Sequence, residues 1–362
     1  MRREKRRLFV LQGRPVIGKR RIRVLVVDDS AFARKVLRES LSASFEIEVV
    51  GIARDGLDAL EKISQLKPDV ITLDLVMPNL DGLGVLRALQ AVANAPAVVV
   101  VSTADEDGEL GVAALVAGAF EVVHKPTALA LDRLYELGDE LVRKVVAAGR
   151  AGRRLPSARP PRVPADSNPP AAAIRTAMVV LGASTGGPHA ITSLLRAFPK
   201  NFAVPMAIVV HLPPGYTEAF ARRVDADCAL KVIEARPDLP LDVGVVVIAR
   251  AGIHMRIRPR GAGWVACLHE EPVDALHRPS VDALFESAAE HVGKRTLGVV
   301  LTGMGNDGLA GSRAIHAAGG RVVTESESSC VVFGMPRCVF EDGISHAQAP
   351  IDRMAELILK EL

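Results

Sequence analysis

Sequence features that mark several other classes of protein are missing from this chain. Its 4 cysteines form no CxxC pair, so neither a zinc site nor a disulfide framework is predicted. No apolar run approaches the roughly 18 residues of a membrane helix. The basic start of the chain has only four consecutive apolar residues, too few for the ~7–15-residue core of a secretory signal. We therefore expect a cytoplasmic protein.

Aromatic residues are also scarce, at 4%, so the cores must be built mainly from Val, Leu, Ile and Ala. Hydrophobic residues make up 49% and charged residues 24% of the 362 residues, a composition and length typical of two globular domains. The net charge of +3 argues against a nucleic-acid partner, which usually meets a concentrated basic face. Residues 1–21 are basic without apolar periodicity, and we predict a disordered extension there rather than a nucleic-acid arm.

Two series of short apolar strands alternate with segments of helical period. The first series is IRVLVV, IEVVGIA, DVITLDL, AVVVVS and FEVVHK, and the second is MVVLGAS, MAIVVHL, VGVVVIA, LGVVLTG and RVVTE. Such alternation predicts parallel sheets covered by helices on both faces. The Ala-, Arg- and Pro-rich residues 141–176 are predicted to be a flexible linker. The predicted fold is therefore α/β, with two doubly wound parallel-sheet domains at 22–140 and 177–362.

Polar side chains follow the predicted strands of the first domain. Asp28 and Asp29 come after the first strand, Asp74 after the third, Ser102 after the fourth and Lys125 after the fifth. Ligands of such sheets bind beyond the carboxyl ends of the strands. Three carboxylates there suit Mg²⁺, and together with a lysine they would receive a phosphoryl group on one aspartate. An Asp-Asp pair alone is more often a helix cap, but the conjunction of five groups favours the phosphoryl site.

A serine in a glycine-rich turn opens the second domain. The segment MVVLGASTGGPHAI predicts a strand, a tight turn and a helix, with Ser184 in the turn. Helix N–H groups near such a serine suit an oxyanion. The arrangement is similar in logic to a nucleophile elbow, although the sequence is not G-x-S-x-G. A serine that merely caps the helix would give the same pattern.

A nucleophilic serine needs a base and an orienting carboxylate. His211 ends the strand MAIVVH, and Asp307 lies in LTGMGNDG after another strand, so both are expected at the same sheet edge as Ser184. A lone histidine is more often structural. The histidines that stay open as alternatives are His254, His277 and His291. His277, in the segment HRPSVD, could equally orient the site.

A glycine pattern near the end of the chain suggests a different function. Gly303, Gly305 and Gly308 spell G-x-G-x-x-G after a strand, and Glu325 ends the next strand, which mimics a dinucleotide-binding fingerprint. Asp307 would place a negative charge inside the turn that should hold a pyrophosphate. Too few residues follow for the remaining strand–helix units. The alternative hypothesis is nevertheless a first domain that receives phosphate, joined to a second domain that binds a dinucleotide or only binds a partner.

Residues 22–140 resemble a response-regulator receiver domain. The motifs that carry the resemblance are IRVLVVDDSAFAR, PDVITLDLVMPNLDG, VVVVSTAD and VVHKP. The resemblance implies a flavodoxin-like fold with Asp74 as phospho-acceptor, Asp28, Asp29 and Asp74 as Mg²⁺ ligands, Ser102 as switch hydroxyl and Lys125 as phosphate-sensing lysine. Ser102 is preferred to Thr103 because it directly follows the apolar strand.

Residues 178 to about 350 resemble the catalytic domain of the CheB chemotaxis-receptor methylesterase family, through GASTGG, HLPPGYT, HRPSVD, VLTGMGNDG and ESSCVVFGMPR. The resemblance implies a Rossmann-like α/β domain without a cofactor. It implies Ser184 as nucleophile, His211 as general base, Asp307 as orienting acid and the Met304 N–H as oxyanion donor. The chain has VHL at 210–212 and RAGIHM at 250–255, where the family usually has QHM and PGDKHM. These departures leave the three catalytic candidates intact and concern the substrate groove.

Together the resemblances imply a phosphorylation-activated hydrolase. It would demethylate glutamate methyl esters on methyl-accepting chemotaxis receptors, release methanol, and deamidate receptor glutamines. The implied partners are those receptors as substrates and a chemotaxis histidine kinase as phosphodonor, with membrane contact only through the receptors. The family pattern also implies that the unphosphorylated receiver packs over the catalytic cleft.

Overall fold

The structure is a computed structural model that describes residues 20–102, 108–125, 131–151, 176–271 and 275–362. Most of the predicted N-terminal extension and most of the predicted linker lie outside these residues, as does Thr103. Among the helices described, none is long and apolar enough to cross a bilayer.

The first domain is a five-stranded parallel sheet of order β2-β1-β3-β4-β5. Its strands are β1 (Ile22–Val27), β2 (Ile47–Ala53), β3 (Val70–Leu73), β4 (Ala97–Ser102) and β5 (Glu121–His124). Its described helices are α1 (Ala31–Ser42), α2 (Gly56–Leu66), α3 (Gly82–Leu89), α4 (Glu109–Val116) and α5 (Leu131–Ala151). The central strands are buried almost throughout because helices cover both faces. This order is that of the flavodoxin-like doubly wound fold, which confirms the predicted fold class.

Helix α5 corrects the predicted end of the first domain. It continues past residue 140 to Ala151, so residues 141–151 are helical rather than part of a linker. Leu141 and Val145 are fully buried against the core that contains Ile22 and Leu41. The stretch AAGRA looked like linker because it lacks large apolar side chains. Small residues there let the helix lie close to β1: a Cβ on Gly149 would stand 2.6 Å from the Ile22 side chain.

The second domain is built on a seven-stranded parallel sheet of order β15-β14-β13-β6-β7-β10-β8. A three-stranded antiparallel sheet of order β11-β12-β9 stands beside it. The strands are β6 (Met178–Ala183), β7 (Met206–Val210), β8 (Lys231–Glu234), β9 (Leu239–Pro240), β10 (Val245–Ile248), β11 (His254–Arg260), β12 (Gly263–His269), β13 (Thr296–Val300), β14 (Arg321–Glu325) and β15 (Ala347–Ala349). The helices are α6 (Gly187–Arg196), α7 (Thr217–Asp227), α8 (Val281–His291), α9 (Leu309–Ala317), α10 (Met335–Glu341) and α11 (Ile351–Lys360), with a 3₁₀ turn at Gly293–Arg295.

Strand β6 lies at the centre of this sheet, between β7 and β13. The chain crosses to β7 on one side and later to β13 on the other, so the strand order reverses at β6. Such a switch point opens a crevice at the carboxyl ends of the strands. Ser184 follows β6 directly, His211 follows β7 directly, and Asp307 lies in the loop after β13. The sheet topology therefore brings all three residues to one crevice.

The two domains contact each other through α4 and α7. Glu109 at the start of α4 forms an ion pair with Arg222 of α7. The backbone of Gly111 in α4 packs closely against the Tyr216 ring, since a Cβ added at Gly111 would lie 1.9 Å from Tyr216 Cε1. Tyr216 is 1% exposed. The first domain thus covers the amino end of α7, the helix that follows the loop after His211.

Candidate active site and phosphorylation pocket

Ser184 lies in a tight turn that only glycines permit. Gly186 has a φ of 78°, and a Cβ on it would stand 2.6 Å from the Val331 side chain. The Ser184 amide donates to the Thr302 carbonyl at 3.0 Å, which ties the turn to the loop after β13. Gly186 itself is the N-cap of α6, without a side-chain cap bond. The Ser184 hydroxyl therefore does not act as the helix cap that the sequence left open.

The Ser184 hydroxyl instead contacts His211. Ser184 Oγ lies 3.0 Å from His211 Nδ1, and His211 Nε2 lies 2.9 Å from Asp307 Oδ2. The His211 and Asp307 side chains are only 11% and 9% exposed. The imidazole thus bridges a hydroxyl and a carboxylate, the geometry that lets it accept a proton from the serine. The bridge runs through Nδ1 to the serine, whereas the Ser-His-Asp template of serine proteases uses Nε2.

Asp307 is held by the amino end of α8. Its Oδ1 accepts hydrogen bonds from Ser280 Oγ and the Asp282 amide, both at 2.9 Å, and its Oδ2 accepts one from the Val281 amide at 2.8 Å. Burial alone would raise the pKa of Asp307, but the hydrogen bond and charge of His211, with the amides of Asp282 and Val281, lower it to about 2. The carboxylate therefore stays ionised at neutral pH, where it can orient an imidazole and stabilise its positive charge.

The other histidines take different places. His277 stacks on His211, with ring centroids 4.1 Å apart and planes tilted by 20°; burial and the charge of His211 lower the pKa of His277 to about 4. His254 is fully buried and accepts a hydrogen bond from the Ser280 amide at Nδ1, at 3.2 Å. His291 ends α8, ~15 Å along the helix from the end that holds Asp307. Among these histidines only His211 therefore bridges Ser184 and Asp307. His277 packs against the His211 ring, and His254 supports the backbone at Ser280.

The loop that carries Met304 lies against the turn that carries Ser184. A Cβ on Gly303 would stand 2.8 Å from Ser184 Cβ and 3.0 Å from the Ser184 amide nitrogen. The Gly303 amide is bonded to the Val332 carbonyl, and the Gly303 carbonyl accepts from the Met335 amide. Within the described residues the Met304 amide has no hydrogen-bond partner. That amide is free to bind a substrate oxygen beside Ser184.

Glu325, the acid of the glycine pattern that mimics a dinucleotide site, has a structural role that its place in the sequence did not indicate. It is 1% exposed, and its carboxylate accepts hydrogen bonds from the Thr302 amide and the Ser329 hydroxyl, both at 2.8 Å. Burial raises the pKa of Glu325. Thr302 Oγ1 in turn donates to the Thr185 carbonyl at 3.0 Å. A carboxylate bonded in this way cannot reach a ribose, which counts against the dinucleotide hypothesis.

The first domain brings its predicted acidic residues together at the carboxyl end of the sheet. Oxygens of Asp28, Asp29 and Asp74 lie within 4.8 Å of one another. Lys125 Nζ lies 2.6 Å from Asp28 Oδ2 and 2.9 Å from Asp74 Oδ2. Burial raises the pKa of Asp28, although Lys125 opposes the shift. Ser102 is buried at the end of β4. A set of three carboxylates with one lysine fits a hard divalent cation such as Mg²⁺.

The first domain also reaches the residue next to Ser184. Glu121 at the start of β5 is buried, which raises its pKa, while the charge of Lys144 and the nearby Thr185 hydroxyl lower it. Lys144 Nζ lies 3.9 Å from the Glu121 carboxylate. Because Thr185 directly follows Ser184, the edge of the first domain lies beside the turn that carries Ser184.

Comparison with known proteins agrees with both halves of this description. Residues 179–358 match the CheB methylesterase family, and residues 24–136 match the response regulator receiver domain. The protein-glutamate methylesterase/protein-glutamine glutaminase 5 of Myxococcus xanthus is 58% identical over 94% of this chain and 98% of its own length. A Geobacillus kaustophilus protein-glutamate methylesterase/protein-glutamine glutaminase is 41% identical over 94% of this chain and 98% of its own length.

A solved structure supports the second half independently. The Thermotoga maritima CheB methylesterase catalytic domain is 34% identical, covers 52% of this chain and 100% of its own, and superposes with a TM-score of 0.51. With the near full-length relatives, this shows that the chain belongs to the CheB methylesterase family, with a response-regulator receiver domain ahead of the catalytic domain.

Proposed function

We propose that this protein is a phosphorylation-controlled protein-glutamate methylesterase and protein-glutamine deamidase that acts on methyl-accepting chemotaxis receptors. The observation that carries the proposal is the hydrogen-bonded chain from Ser184 through His211 to Asp307 at the switch point of the sheet. The names of the relatives supply the substrate class. The receiver match supplies the control by phosphate.

Hydrolysis proceeds in two steps on this geometry. Ser184 Oγ attacks the carbonyl carbon of the glutamate methyl ester while His211 Nδ1 takes the hydroxyl proton, and that proton leaves with the methoxy group as methanol. Water then attacks the acyl-serine, again giving a proton to His211, and the glutamate carboxylate and free Ser184 are released. For a glutamine substrate the first product is ammonia. Asp307 keeps Nε2 of His211 protonated and stabilises the imidazolium in both steps.

Two neighbouring groups assist these steps. The Met304 amide, which has no partner in the described part of the chain, donates to the oxyanion that forms on the carbonyl oxygen. His277 stacks on His211, and its pKa of about 4 keeps it neutral at pH 7. A neutral ring at 4.1 Å holds the imidazole in place without repelling the positive charge that His211 acquires.

Phosphorylation takes place in the first domain, the receiver. Asp74 receives the phosphoryl group from a chemotaxis histidine kinase, and Lys125, which already contacts Asp74, binds a phosphoryl oxygen. Asp28, Asp29 and Asp74 would hold Mg²⁺, which when bound neutralises the charge of the incoming phosphoryl group. Ser102 lies at the end of the next strand and is placed to respond to the new charge.

Control of the esterase follows from the contact between the domains. In the closed arrangement α4 contacts α7 and Glu121 lies near Thr185, the residue after Ser184, so the receiver would hinder the approach of a receptor helix to Ser184. Phosphorylation at Asp74 activates the enzyme only if it destabilises this arrangement relative to an open one. A tenfold activation needs about 1.4 kcal/mol of differential stability, within the usual range of coupling energies.

The direct test of this function is methanol release from methylated receptors in membranes, with and without a small-molecule phosphodonor and Mg²⁺. We expect slow release by the unphosphorylated full-length protein and faster release after phosphodonor is added. Mass spectrometry of the receptor should show glutamate methyl esters converted to glutamate. Absence of methanol from a methylated receptor, with Asp74 phosphorylated, would rule out the proposed activity on that substrate class.

A glycine at the domain interface allows the closed arrangement to be weakened selectively. Gly111→Ala would push a methyl group into the Tyr216 ring of the other domain, a clash that typically costs about 1–3 kcal/mol. Alanine is also the better helix former, by about 1 kcal/mol, so α4 itself is not weakened. We expect roughly tenfold higher methanol release without phosphodonor.

The matched control for this variant is Gly138→Ala in α5. Its new Cβ would meet only Ser40 of the same domain, at 3.3–3.4 Å. Release by the control should stay at the wild-type level. If Gly111→Ala is folded and phosphorylatable but no more active than wild type before phosphorylation, the α4–α7 contact does not restrain the enzyme.

A further inference from the structure

The amino ends of α8 and α9 exchange their capping carboxylates. The Val281 and Asp282 amides of α8 donate to Asp307, which precedes α9. The Gly308 and Gly311 amides at the start of α9 donate to Asp282 Oδ1, at 2.9 and 2.7 Å. Helix amino ends favour negative charge because their first amides lack partners within the helix. Each helix therefore holds the carboxylate of the other.

This exchange bears on the active site because Asp307 directly precedes Gly308. The bond from the Gly308 amide to Asp282 fixes the backbone on which Asp307 stands. The bonds from α8 fix the Asp307 carboxylate itself. The two helices also lie in close contact, since a Cβ on Gly311 would stand 2.4 Å from Phe285 Cβ and 3.0 Å from the Asp282 carbonyl oxygen. Asp282 thus restrains both the position of the acid and the spacing of the helices.

We propose that Asp282 is a positioning residue for ester hydrolysis, which fixes Asp307 against His211 and adds a second negative charge behind it. This inference rests on the proposed function, since it assigns Asp307 the orienting role. The His211 imidazole bonds to Ser184 and Asp307 and not to Asp282, so Asp282 acts through its hold on Asp307 and through its charge.

The surroundings of Asp282 determine the pH at which its carboxylate is ionised. Burial raises its pKa to about 6, the Gly311 and Gly308 amides oppose the shift, and the neighbouring carboxylates Asp307 and Glu286 add to it. Asp282 is therefore ionised at pH 8, and it carries its full charge where a serine hydrolase of this kind works with a neutral base.

Two substitutions in the full-length phosphorylated protein separate charge from position. Asp282→Asn keeps an oxygen that can accept from Gly308 and Gly311 but removes the charge. We expect its kcat at pH 8 to stay within about threefold of wild type. In its pH profile of kcat/KM, the acid limb should move to lower pH by about half a unit. The reason is that a neighbouring negative charge no longer favours the positively charged form of His211.

Asp282→Ala removes the acceptor as well. We expect kcat to fall by about 10–100-fold with KM changed less than twofold, because the loss falls on the orientation of reacting groups rather than on receptor binding. Glu290→Gln, at the far end of the same helix, is the matched control and should leave both parameters and the acid limb unchanged. Titration with a serine-directed fluorophosphonate counts the folded active sites in every sample.

The outcomes separate this inference from the proposed function. If Ser184 is required for hydrolysis but Asp282→Asn leaves the acid limb in place, the positioning role of Asp282 is wrong and the esterase function stands. If Asp282→Ala does not fold, the acid limb of Asp282→Asn alone decides. If hydrolysis does not depend on Ser184 at all, the proposed function fails first and this inference falls with it.

Discussion

Ser184→Ala should reduce ester hydrolysis by several orders of magnitude while the fold stays intact. The hydroxyl is the atom that His211 Nδ1 contacts at 3.0 Å, and no other oxygen nucleophile is placed on that nitrogen among the described residues. The oxyanion donors and the binding groove remain, so a residual rate of ~10³–10⁴-fold over uncatalysed hydrolysis is expected. The measurement is single-turnover methanol release from methylated receptor at saturating enzyme.

The control for this variant is Ser193→Ala, which removes a hydroxyl from α6, the helix that follows the nucleophile turn. It should hydrolyse the receptor at the wild-type rate. Equal thermal unfolding midpoints for the two variants would show that neither disturbs the domain. Substantial turnover by a folded Ser184→Ala protein would mean that the serine is not the nucleophile.

Asp74→Asn should abolish both phosphorylation and activation by phosphodonor. The Asp74 carboxylate stands next to Asp28, Asp29 and Lys125, so it combines a nucleophilic oxygen with the cation-binding groups that a phosphoryl donor needs. Wild-type protein with a small-molecule phosphodonor and Mg²⁺ should gain one acyl phosphate, stable in acid and labile in base. Removal of Mg²⁺ by chelation should prevent the label, because the three carboxylates then have no cation to offset their charge.

The matched control is Asp58→Asn, which changes a carboxylate of α2 that pairs with Lys62 and leaves the acidic pocket alone. It should be labelled at the wild-type level and activated normally. Mass spectrometry that places the acyl phosphate on a residue other than Asp74 would refute the assignment. Activation of Asp74→Asn by the phosphodonor would refute the coupling between the two domains.

The sequence by itself determined the strands and what stands at their ends. Runs of Val, Ile and Leu bury on both faces of a parallel sheet, so their positions and the residues just after them are visible along the chain. Ser184, His211 and Asp307 could therefore be assigned to one edge of a sheet, and Asp28, Asp74 and Lys125 to another. Their catalytic and phosphoryl roles are predictions that the experiments above address.

The strand order was decided by tertiary structure. Placing β7 and β13 on either side of β6 is what brings His211 and Asp307 within 2.9 Å of each other across 96 residues of chain. The choice of His211 over His277 and His254 also depends on this order, because all three histidines lie near the site. Which imidazole nitrogen meets the serine is fixed by the side-chain rotamer, and local sequence carries no signal for it.

Elements with weaker local signals were missed or misplaced for the same reason. The antiparallel sheet of β11, β12 and β9 was not predicted; its strand β11, HMRIRPR, alternates arginines with other residues and has no continuous apolar run. The first domain was predicted to end at residue 140 because the stretch AAGRA, which forms the end of α5, has no large apolar side chain. The fit of Gly111 to Tyr216 and the exchanged caps of Asp282 and Asp307 join residues far apart in the chain. Such contacts depend on how separate surfaces pack, so only the folded chain could show them.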